Sequence, residues 1–419
     1  MDITIQPEKL RGEIAAIPSK SQAHRLLICS AFADAPTNLF CPETNRVIEA
    51  TADCLSALGA IIKRTDRGYL VTPIDHVPNF AILNCCESGS TLRFMLPIAG
   101  ALGVDTIFQM EGRLPQRPLS PLWEEMERMG CVLTRPTPST IRCWGRLRPG
   151  KYTIDGGVSS QFITGLLFAL SLIPGGGSLE ITGKVESKPY IDMTKRAMEL
   201  FCAPNYRTPG TVTVEGDWSN GAFFLAAKAL GSPIDIRNLN DNSPQGDRAC
   251  AAILPAMEQF ATVDASDIPD LVPILAVAAG AKAGAKFQNI QRLRLKESDR
   301  VASVIAMIEA LGGRAEAAED TLTVHPTGYT GGTVDAQNDH RIAMAAAIAA
   351  TVCTGSVTIT GAECVKKSYP KFWEEYRRLG GKYEQYLRGK FKIIHFWPVP
   401  RPRHRHDPGR HPGRTSCGS

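Results

Sequence analysis

Apolar and polar positions along the chain repeat one pattern six times. Each copy begins with a strongly apolar, helix-like segment, continues through a Gly or polar turn, and ends in a β-rich strand. The six segments are LLICSAFADAPTNLF, LPIAGALGVDTIFQMEG, LLFALSLIPGGGSLEITG, FLAAKALGSPIDIRNLN, LAVAAGAKAGAKFQNI and AIAATVCTGSVTITGAE. Repetition of this kind is typical of folds assembled from similar supersecondary units. We therefore expect six related units.

A second, amphipathic helix follows each copy and commonly closes on Gly, as in CLSALGA and MIEALGG. Alternating strands and helices predict an α/β layer structure. Six units divide naturally into two domains of three, with the division near Glu215. The predicted domains are 15–214, and 1–14 together with 215–387. Units three and four reach the next unit in about half the usual length, which predicts that each lacks a hairpin.

Length and composition agree with this organisation. A chain of 419 residues that is 43% hydrophobic exceeds the usual span of one core. Neither a long apolar run nor a signal-like N-terminus is present, so we expect a cytoplasmic protein with no membrane contact. Twelve cysteines lack CxxC spacing, which favours reduced thiols over a disulfide framework or a zinc site.

The formal net charge of +5 comes largely from one segment. Residues 388–419 carry eight Lys/Arg and one Asp, and the remainder has 39 Lys/Arg against 41 Asp/Glu. Bulk charge therefore does not indicate a nucleic-acid partner. The segment is rich in Pro, Arg and His without a period, so we expect disorder. Weak metal binding by His404, His406 and His411 is an alternative to an incidental extension.

Cations stand near the predicted start of several helices. The positive end of a helix dipole normally favours Asp, Glu, Ser or Thr. A single such cation is usually a solvated surface group paired with a carboxylate. Several cations at equivalent places in repeated units can converge on one cleft and bind a polyanion. The residues concerned are Lys20, Arg25, Arg93, Arg300 and Arg341.

The segment LRLKESDR, residues 293–300, concentrates this charge ahead of an apolar helix. Spacing of four residues predicts that Lys296 and Arg300 share one helical face. Glu297 lies three residues before Arg300 and is expected to hold its guanidinium in place. We expect the segment to contact a doubly anionic small molecule.

Other predicted helix starts are uncharged but rich in hydrogen-bond donors. Helix capping explains one serine at such a start, but not several polar residues. The turn SGST resembles a phosphate-binding turn, although it lacks the Lys and the spacing of a Walker loop. The donor-rich residues are Ser159, Ser160 and Gln161, then Ser187 and Tyr190, and then Gly89 and Ser90.

Asp270, in SDIPDLVP, stands at another predicted helix start. It could simply cap the helix or favour its dipole. Close to several cations, it would instead stay ionised and accept a proton from a substrate hydroxyl. Both interpretations remain open on the residues alone.

Ten motifs in order closely resemble the 5-enolpyruvylshikimate-3-phosphate synthase family, from the N-terminal strand to about Tyr386. They are SKSQAHR, SGSTLR, LPQRPL, DGGVSSQF, SKPYIDMT, EGDWS, IPDL, LKESDR, NDHRIAM and CVKKSYP. The resemblance implies a two-domain inverse α/β barrel with three repeated βαβαβ-type units in each domain. It also implies enolpyruvyl transfer from phosphoenolpyruvate to the 5-hydroxyl of shikimate 3-phosphate, in a monomer that needs no cofactor or metal.

The family's residue roles carry over by motif. The resemblance implies Asp270 as the base at the attacking hydroxyl, with Lys20 and Glu297 moving protons at the methylene carbon and the leaving phosphate. Shikimate 3-phosphate is expected to meet Lys20, Ser21, Arg25, Ser159, Ser160, Gln161, Ser187, Tyr190, Asp270 and Lys296. Phosphoenolpyruvate is expected to meet Lys20, Gly89, Arg117, Gln161, Arg300, Arg341 and Lys367.

Some features depart from the family pattern. Val47 stands where an acidic residue is usual, and Arg292 stands where a neutral polar residue often contacts the substrate. The shortened third and fourth units also lack sheet that the family normally has, and residues 388–419 have no family counterpart.

Three rival interpretations remain. UDP-N-acetylglucosamine enolpyruvyl transferases usually carry a reactive Cys where EGRLPQRPLS holds Arg117 and no Cys. A phosphometabolite-binding homologue without catalysis would bind both ligands but release no phosphate. A repeat scaffold for protein partners would expose apolar patches rather than cations at helix starts.

Overall fold

The structure is a computed structural model that describes residues 1–386. The tail 388–419, including the three histidines considered as metal ligands, lies outside the described residues. No helix within the described part of the chain is long and apolar enough to cross a membrane.

Twelve α-helices occur among residues 1–386. Their bounds are α1 Lys20–Ala31, α2 Arg46–Ala57, α3 Gly89–Leu102, α4 Leu122–Arg128, α5 Ser160–Leu172, α6 Lys188–Leu200, α7 Trp218–Ala229, α8 Cys250–Ala256, α9 Val272–Ala281, α10 Arg300–Ala310, α11 His340–Ala349 and α12 Phe372–Arg378.

Twenty β-strands occur in the same part of the chain. Their bounds are β1 Asp2–Gln6, β2 Gly12–Ala15, β3 Thr37–Phe40, β4 Ile61–Thr65, β5 Gly68–Thr72, β6 Phe80–Asn84, β7 Asp105–Gln109, β8 Cys131–Thr137, β9 Thr140–Gly145, β10 Gly150–Asp155, β11 Gly177–Thr182, β12 Thr211–Thr213, β13 Ile234–Arg237, β14 Ala261–Asp264, β15 Ala285–Gln288, β16 Arg314–Ala317, β17 Thr321–His325, β18 Gly332–Asp335, β19 Val357–Thr360 and β20 Lys382–Tyr386.

The strands form six small sheets. Four sheets have four strands, in the orders β12-β3-β5-β4, β6-β7-β9-β8, β14-β15-β17-β16 and β18-β19-β1-β20. Each of the four combines one parallel pair with antiparallel neighbours, so these sheets are mixed. The α/β class predicted from the sequence is confirmed. The other two sheets, β10-β11 and β13-β2, are single parallel pairs. They lie in the third and fourth segments, where the sequence predicts a missing hairpin.

Buried apolar side chains form two separate cores. One core comes from residues between Ala23 and Val214. The other combines residues between Ile3 and Ile17 with residues between Trp218 and Leu379. The first strands of the chain therefore pack with its second half.

Helices and strands differ in how deeply they are buried. Every residue of α11 is buried, whereas most of β4 is exposed. In the first core α3 packs against α5. The approach is close at Gly165, where an added Cβ would stand 2.2 Å from the Arg93 carbonyl oxygen. This contact fixes the starts of α3 and α5 beside each other.

Candidate active site

One large cavity collects the N-terminal ends of helices from both cores. It is lined by residues at the starts of α1, α3, α5 and α6 and by residues just before α9 and α10. The helix starts therefore converge on one cleft, as the sequence predicts. Fourteen of the sixteen predicted site residues line this cavity: Lys20, Ser21, Arg25, Gly89, Arg117, Ser159, Ser160, Gln161, Ser187, Tyr190, Asp270, Lys296, Glu297 and Lys367.

The structure places the other two, Arg300 and Arg341, behind the wall of the cavity. Each guanidinium is 1% exposed. Arg300 pairs with Asp270 and Glu297, each at 2.6 Å, and with Asp339 at 2.9 Å. A buried charge is costly unless it is paired, so each of these buried guanidinium groups contacts carboxylates.

Asp270 lies at the centre of the charged cluster. Its carboxylate accepts hydrogen bonds from Arg300 Nη1 at 2.6 Å and Arg341 Nη2 at 2.8 Å. Burial raises the pKa of this carboxyl, but Arg341, Lys296 and Arg300 offset that effect and hold the pKa well below its ordinary value. No side chain caps α9, so the capping interpretation of Asp270 is wrong. The group is an ionised acceptor at neutral pH.

Glu297 is a second ionised carboxylate in the wall. Its carboxylate accepts a hydrogen bond from Arg300 Nη2 at 2.6 Å, which confirms that Glu297 holds the Arg300 guanidinium in place as expected. Burial raises the pKa of Glu297, and Arg300 with Arg117 lowers it well below the ordinary value. Asp270 and Glu297 therefore share Arg300 while both line the cavity.

Lys296 does not share a helical face with Arg300, so that prediction is wrong. The helix begins at Arg300, and Lys296 has extended backbone after a short 3-10 turn, Gln291–Leu295. Its ammonium lies 3.7 Å from Asp270 Oδ1. Burial, opposed by Asp270 and reinforced by Arg292, lowers the pKa of Lys296 to about 8. This lysine therefore titrates close to physiological pH.

Two cations in the cavity lack a partner among residues 1–386. The Lys20 ammonium and the Arg117 guanidinium form no hydrogen bond and no ion pair there, and Arg117 Nε is buried. Buried cationic donors without acceptors are costly unless an anion satisfies them. Both were predicted from the sequence as ligands of an anionic substrate.

Gly89, at the start of α3, lets two guanidinium groups approach the backbone. An added Cβ would stand 2.6 Å from Arg117 Nη1 and 2.7 Å from Arg93 Nη1. Arg93 also donates to Gln161 Oε1 at 2.8 Å, and Gln161 Nε2 donates to Ser90 at 2.9 Å. Arg93 thus joins the start of α3 to the start of α5 and lies in the cavity wall.

The remaining predicted ligands form a hydroxyl-rich side of the cavity. Arg25 lies in the second turn of α1 rather than the first, and its Nε donates to Thr194 Oγ1 at 2.8 Å. Ser159 accepts from Gln161 N at 3.3 Å as the cap of α5. Ser187 precedes α6 with a left-handed φ of 55° and makes no cap hydrogen bond. Its hydroxyl instead donates to the Ser266 carbonyl oxygen at 3.3 Å and accepts from Arg292 Nη1 at 3.0 Å.

A smaller cavity adjoins the first and shares Lys20, Ser21 and Tyr190 with it. Its wall contains Asp247, which accepts a 3.3 Å hydrogen bond from the Tyr190 hydroxyl. Burial and the nearby Asp270 raise the pKa of Asp247 to about 6. Arg341 lines this second cavity and bonds to Asp270.

Several residues of the site were not predicted from the sequence. Asp339 is fully buried; its Oδ1 caps α11 and its Oδ2 accepts from Arg300. The motif NDHR carried a capping signal, but nothing in it indicated the partner on α10. Glu87 pairs with Lys367 at 2.8 Å and so connects the first core to the second. Arg113 makes another such contact, donating to the Glu297 carbonyl at 3.3 Å.

The two departures from the family pattern, Val47 and Arg292, both line the main cavity. Residues 1–386 contain no group of three or more His, Cys, Asp or Glu side chains that could hold a metal ion.

Comparison with known sequences shows the family of the chain. The sequence model of the family EPSP synthase (3-phosphoshikimate 1-carboxyvinyltransferase) matches residues 5–376. The chain belongs to the EPSP synthase family. A 3-phosphoshikimate 1-carboxyvinyltransferase from Clostridium kluyveri is 37% identical over 428 aligned residues, which cover 93% of this chain and 99% of the relative. A second 3-phosphoshikimate 1-carboxyvinyltransferase, from Clostridium acetobutylicum, is 35% identical, and the alignment covers 99% of that relative.

Two solved structures share the fold. An EPSP synthase from Acinetobacter baumannii superposes with a TM-score of 0.73 at 21% identity, covering 92% of this chain and 100% of that one. The enolpyruvyl transferase NikO from Streptomyces tendae gives a TM-score of 0.67 at 17% identity, covering 91% and 98%.

Proposed function

We propose that this chain transfers the enolpyruvyl group of phosphoenolpyruvate to the 5-hydroxyl of shikimate 3-phosphate. The products are 5-enolpyruvylshikimate 3-phosphate and phosphate, in the shikimate pathway to chorismate and the aromatic amino acids. The observation that carries the proposal is the convergence of fourteen predicted site residues on one cavity in a member of this family.

The reaction is an addition followed by an elimination. The 5-hydroxyl oxygen bonds to C2 of phosphoenolpyruvate and loses its proton, while C3 gains a proton and becomes a methyl group. The resulting tetrahedral intermediate then loses a proton from C3 and phosphate from C2, which restores the double bond. Two proton-transfer positions and a strong anion site are therefore required.

Asp270 is assigned to the 5-hydroxyl. Its low pKa keeps it ionised, so it orients the hydroxyl and accepts the proton as the oxygen attacks C2. Lys20 and Glu297 are assigned to the protons at C3 and at the leaving phosphate. Lys20 suits this role because its ammonium is unpaired within residues 1–386, and Glu297 because it is ionised beside Arg117 and Arg300.

The two substrates are assigned to different sides of the cavity. The phosphoenolpyruvate side has Arg117, whose guanidinium is unpaired within residues 1–386 and suits a carboxylate or phosphate through forked hydrogen bonds. Arg300, Arg341 and Lys367 are paired with carboxylates, so direct contact requires each to exchange a carboxylate for the ligand. The shikimate 3-phosphate side includes Arg25, Ser159, Ser160, Ser187, Tyr190 and Lys296.

We extend the proposal to the architecture. The two cores support a division into domains 15–214, and 1–14 with 215–387, with helices inside and sheets outside in six units as in an inverse α/β barrel. Since one chain supplies every assigned residue, a monomer suffices. A cytoplasmic location agrees with eleven free cysteines in the described residues.

The test is product identification. Purified protein is incubated with phosphoenolpyruvate and shikimate 3-phosphate, and the products are followed by ³¹P NMR and mass spectrometry. Equal amounts of inorganic phosphate and a shikimate 3-phosphate derivative heavier by one enolpyruvyl group are expected. UDP-N-acetylglucosamine is the control acceptor and is expected to give no product. Product from that acceptor alone, or binding without phosphate release, would refute the proposal.

A further inference from the structure

Arg292 lies across the cavity from the half of the chain that supplies most hydroxyl groups. It belongs to the 3-10 turn Gln291–Leu295, which packs with the second core, and its side chain is 14% exposed. The side chain nevertheless reaches residues just before α6 in the first half. It therefore connects the two halves at the side of the cavity assigned to shikimate 3-phosphate.

The hydrogen bonds of Arg292 use only part of its donor set. Nη1 donates to Glu186 Oε2 at 3.2 Å and to the Ser187 hydroxyl at 3.0 Å. Nε and Nη2 donate no hydrogen bond to any of residues 1–386. An arginine in a cavity wall thus retains two adjacent nitrogen donors, which is the arrangement that binds a phosphate through two parallel hydrogen bonds.

The surroundings of Arg292 carry an excess of positive charge. Arg93 and Lys296 also line this cavity, and Arg292 lies close enough to disfavour the charged form of both. Burial is the larger cause in each case, lowering the pKa of Lys296 and that of Arg93. Glu186 is the single carboxylate paired with Arg292 among residues 1–386. Lys296 lies 3.7 Å from Asp270, but that carboxylate also pairs with Arg300 and Arg341. Arg93 forms no ion pair within residues 1–386, so the cations exceed their carboxylates and a dianion is favoured at this position.

We propose that Arg292 binds the 3-phosphate of shikimate 3-phosphate through Nε and Nη2, together with the Ser187 hydroxyl. This inference rests on the proposed function and adds a specificity-determining residue to it. Because Arg292 and Ser187 come from different halves, one phosphate group contacts both halves, and the Ser187 hydroxyl donates to it in place of the Ser266 carbonyl oxygen. Glu186 is the competing anion, and the phosphate replaces part of its interaction with Arg292.

The test is a thermodynamic cycle in which the arginine side chain, the phosphate group of the ligand, or both are removed. Dissociation constants for shikimate 3-phosphate and for shikimate, which lacks the phosphate, are measured by calorimetry with wild type, Arg292→Gln and Arg292→Lys. Arg292→Gln is expected to weaken shikimate 3-phosphate binding by about 10- to 100-fold, the range typical of a charged hydrogen-bonded pair. Shikimate binding and the KM for phosphoenolpyruvate are expected to change by less than about 3-fold, since neither involves that pair.

Two further variants keep the proposal open to refutation if Arg292→Gln folds poorly. Arg292→Lys is expected to lose part of the affinity for shikimate 3-phosphate, because lysine keeps the positive charge but lacks the two parallel N–H donors of the guanidinium. Glu186→Gln, which removes the competitor, is expected to tighten shikimate 3-phosphate binding. Equal losses for shikimate and shikimate 3-phosphate, or no loss for either, would overturn the inference. Absence of turnover in wild type would instead refute the proposed function.

Discussion

Asp270 is the residue on which the charge balance of the site most depends. It faces Arg300, Arg341 and Lys296 at once, so its carboxylate is both a structural counter-ion and the proposed base. Asparagine has nearly the same shape and keeps one acceptor oxygen, so it can accept a hydrogen bond from one of the two arginines. A change at this position can therefore separate binding from chemistry.

Asp270→Asn is predicted to keep both substrates bound and to lower kcat by about 10²- to 10⁴-fold, the usual contribution of a general base. Calorimetry and a phosphate-release assay on the same preparation check this. Asp267→Asn is the control, since that carboxylate accepts from Lys188 N outside the charged cluster. Turnover close to wild type in Asp270→Asn would remove Asp270 from its assigned role.

Gly89→Ala is predicted to raise the KM for phosphoenolpyruvate by about 10-fold, corresponding to about 1.4 kcal/mol. The added methyl group displaces Arg117 and Arg93, whose guanidinium nitrogens stand 2.6 Å and 2.7 Å from the Cβ position. Because these atoms end flexible side chains, the thermal midpoint of unfolding is expected to stay nearly unchanged. An unaltered KM would contradict the assignment of Arg117 to this substrate.

Lys296 gives the site a predicted dependence on pH. Its lowered pKa of about 8 means that the free site holds an ammonium below pH 8 and a neutral amine above it. A bound phosphate favours the ammonium, so shikimate 3-phosphate binding should weaken as pH rises through about 8 and should take up protons there. Calorimetry in buffers of different ionisation enthalpy measures this uptake. Lys296→Arg should abolish it, and equal uptake in that variant would contradict the assignment.

Sequence alone indicated most residues of the site but not their partners. Arg300 and Arg341 were predicted to contact substrate directly, whereas burial turns both toward carboxylates that lie far away in sequence. Glu87 and Asp339 were missed for the same reason, because the partner of a buried charge is set by packing. A local motif carries no information on that partner.

At the scale of elements, side-chain caps fix the starts of five helices at the site, α1, α3, α5, α10 and α11, whereas α6 and α9 begin without one. Asp339 both caps α11 and holds Arg300 at the start of α10. The hydrophobic pattern predicted these helices, since the buried residues of α10 and α11 beyond the first turn are largely apolar. Lys296 was misplaced because the helix signal extended into a segment that forms a 3-10 turn and an extended residue.

Asp339→Ala is predicted to destabilise the second core by roughly 3–5 kcal/mol, because it leaves Arg300 with one fewer carboxylate in a buried cluster. Asp299→Ala is the matched control, since Asp299 caps α10 but is 40% exposed. Its loss is expected to cost about 1 kcal/mol. Urea denaturation compares the midpoints of the two variants. Equal shifts would show that Asp339 acts only as a cap.

At the scale of the whole molecule, the two halves meet through a few polar contacts around a charged cavity. Glu87–Lys367 and Arg113–Glu297 cross between them near the site. The sequence predicted six repeats and two shortened units, and the strand orders show two sheets of two strands among four of four. The repeat pattern does not specify which residues make these contacts.

Binding of both substrates is predicted to compact the protein. Cations from both halves repel one another until anions lie between them, so the two ligands together should draw the halves closer. Small-angle X-ray scattering should show a smaller radius of gyration with both ligands than with either alone. Identical profiles in all states would count against closure.

Phosphate release from phosphoenolpyruvate, measured with and without shikimate 3-phosphate, tests the central claim most directly. If cations and carboxylates from both halves form one site for two anions, the wild-type protein releases one phosphate for each shikimate 3-phosphate consumed and none without it. Release that does not depend on shikimate 3-phosphate, or no release with both substrates present, would contradict this account.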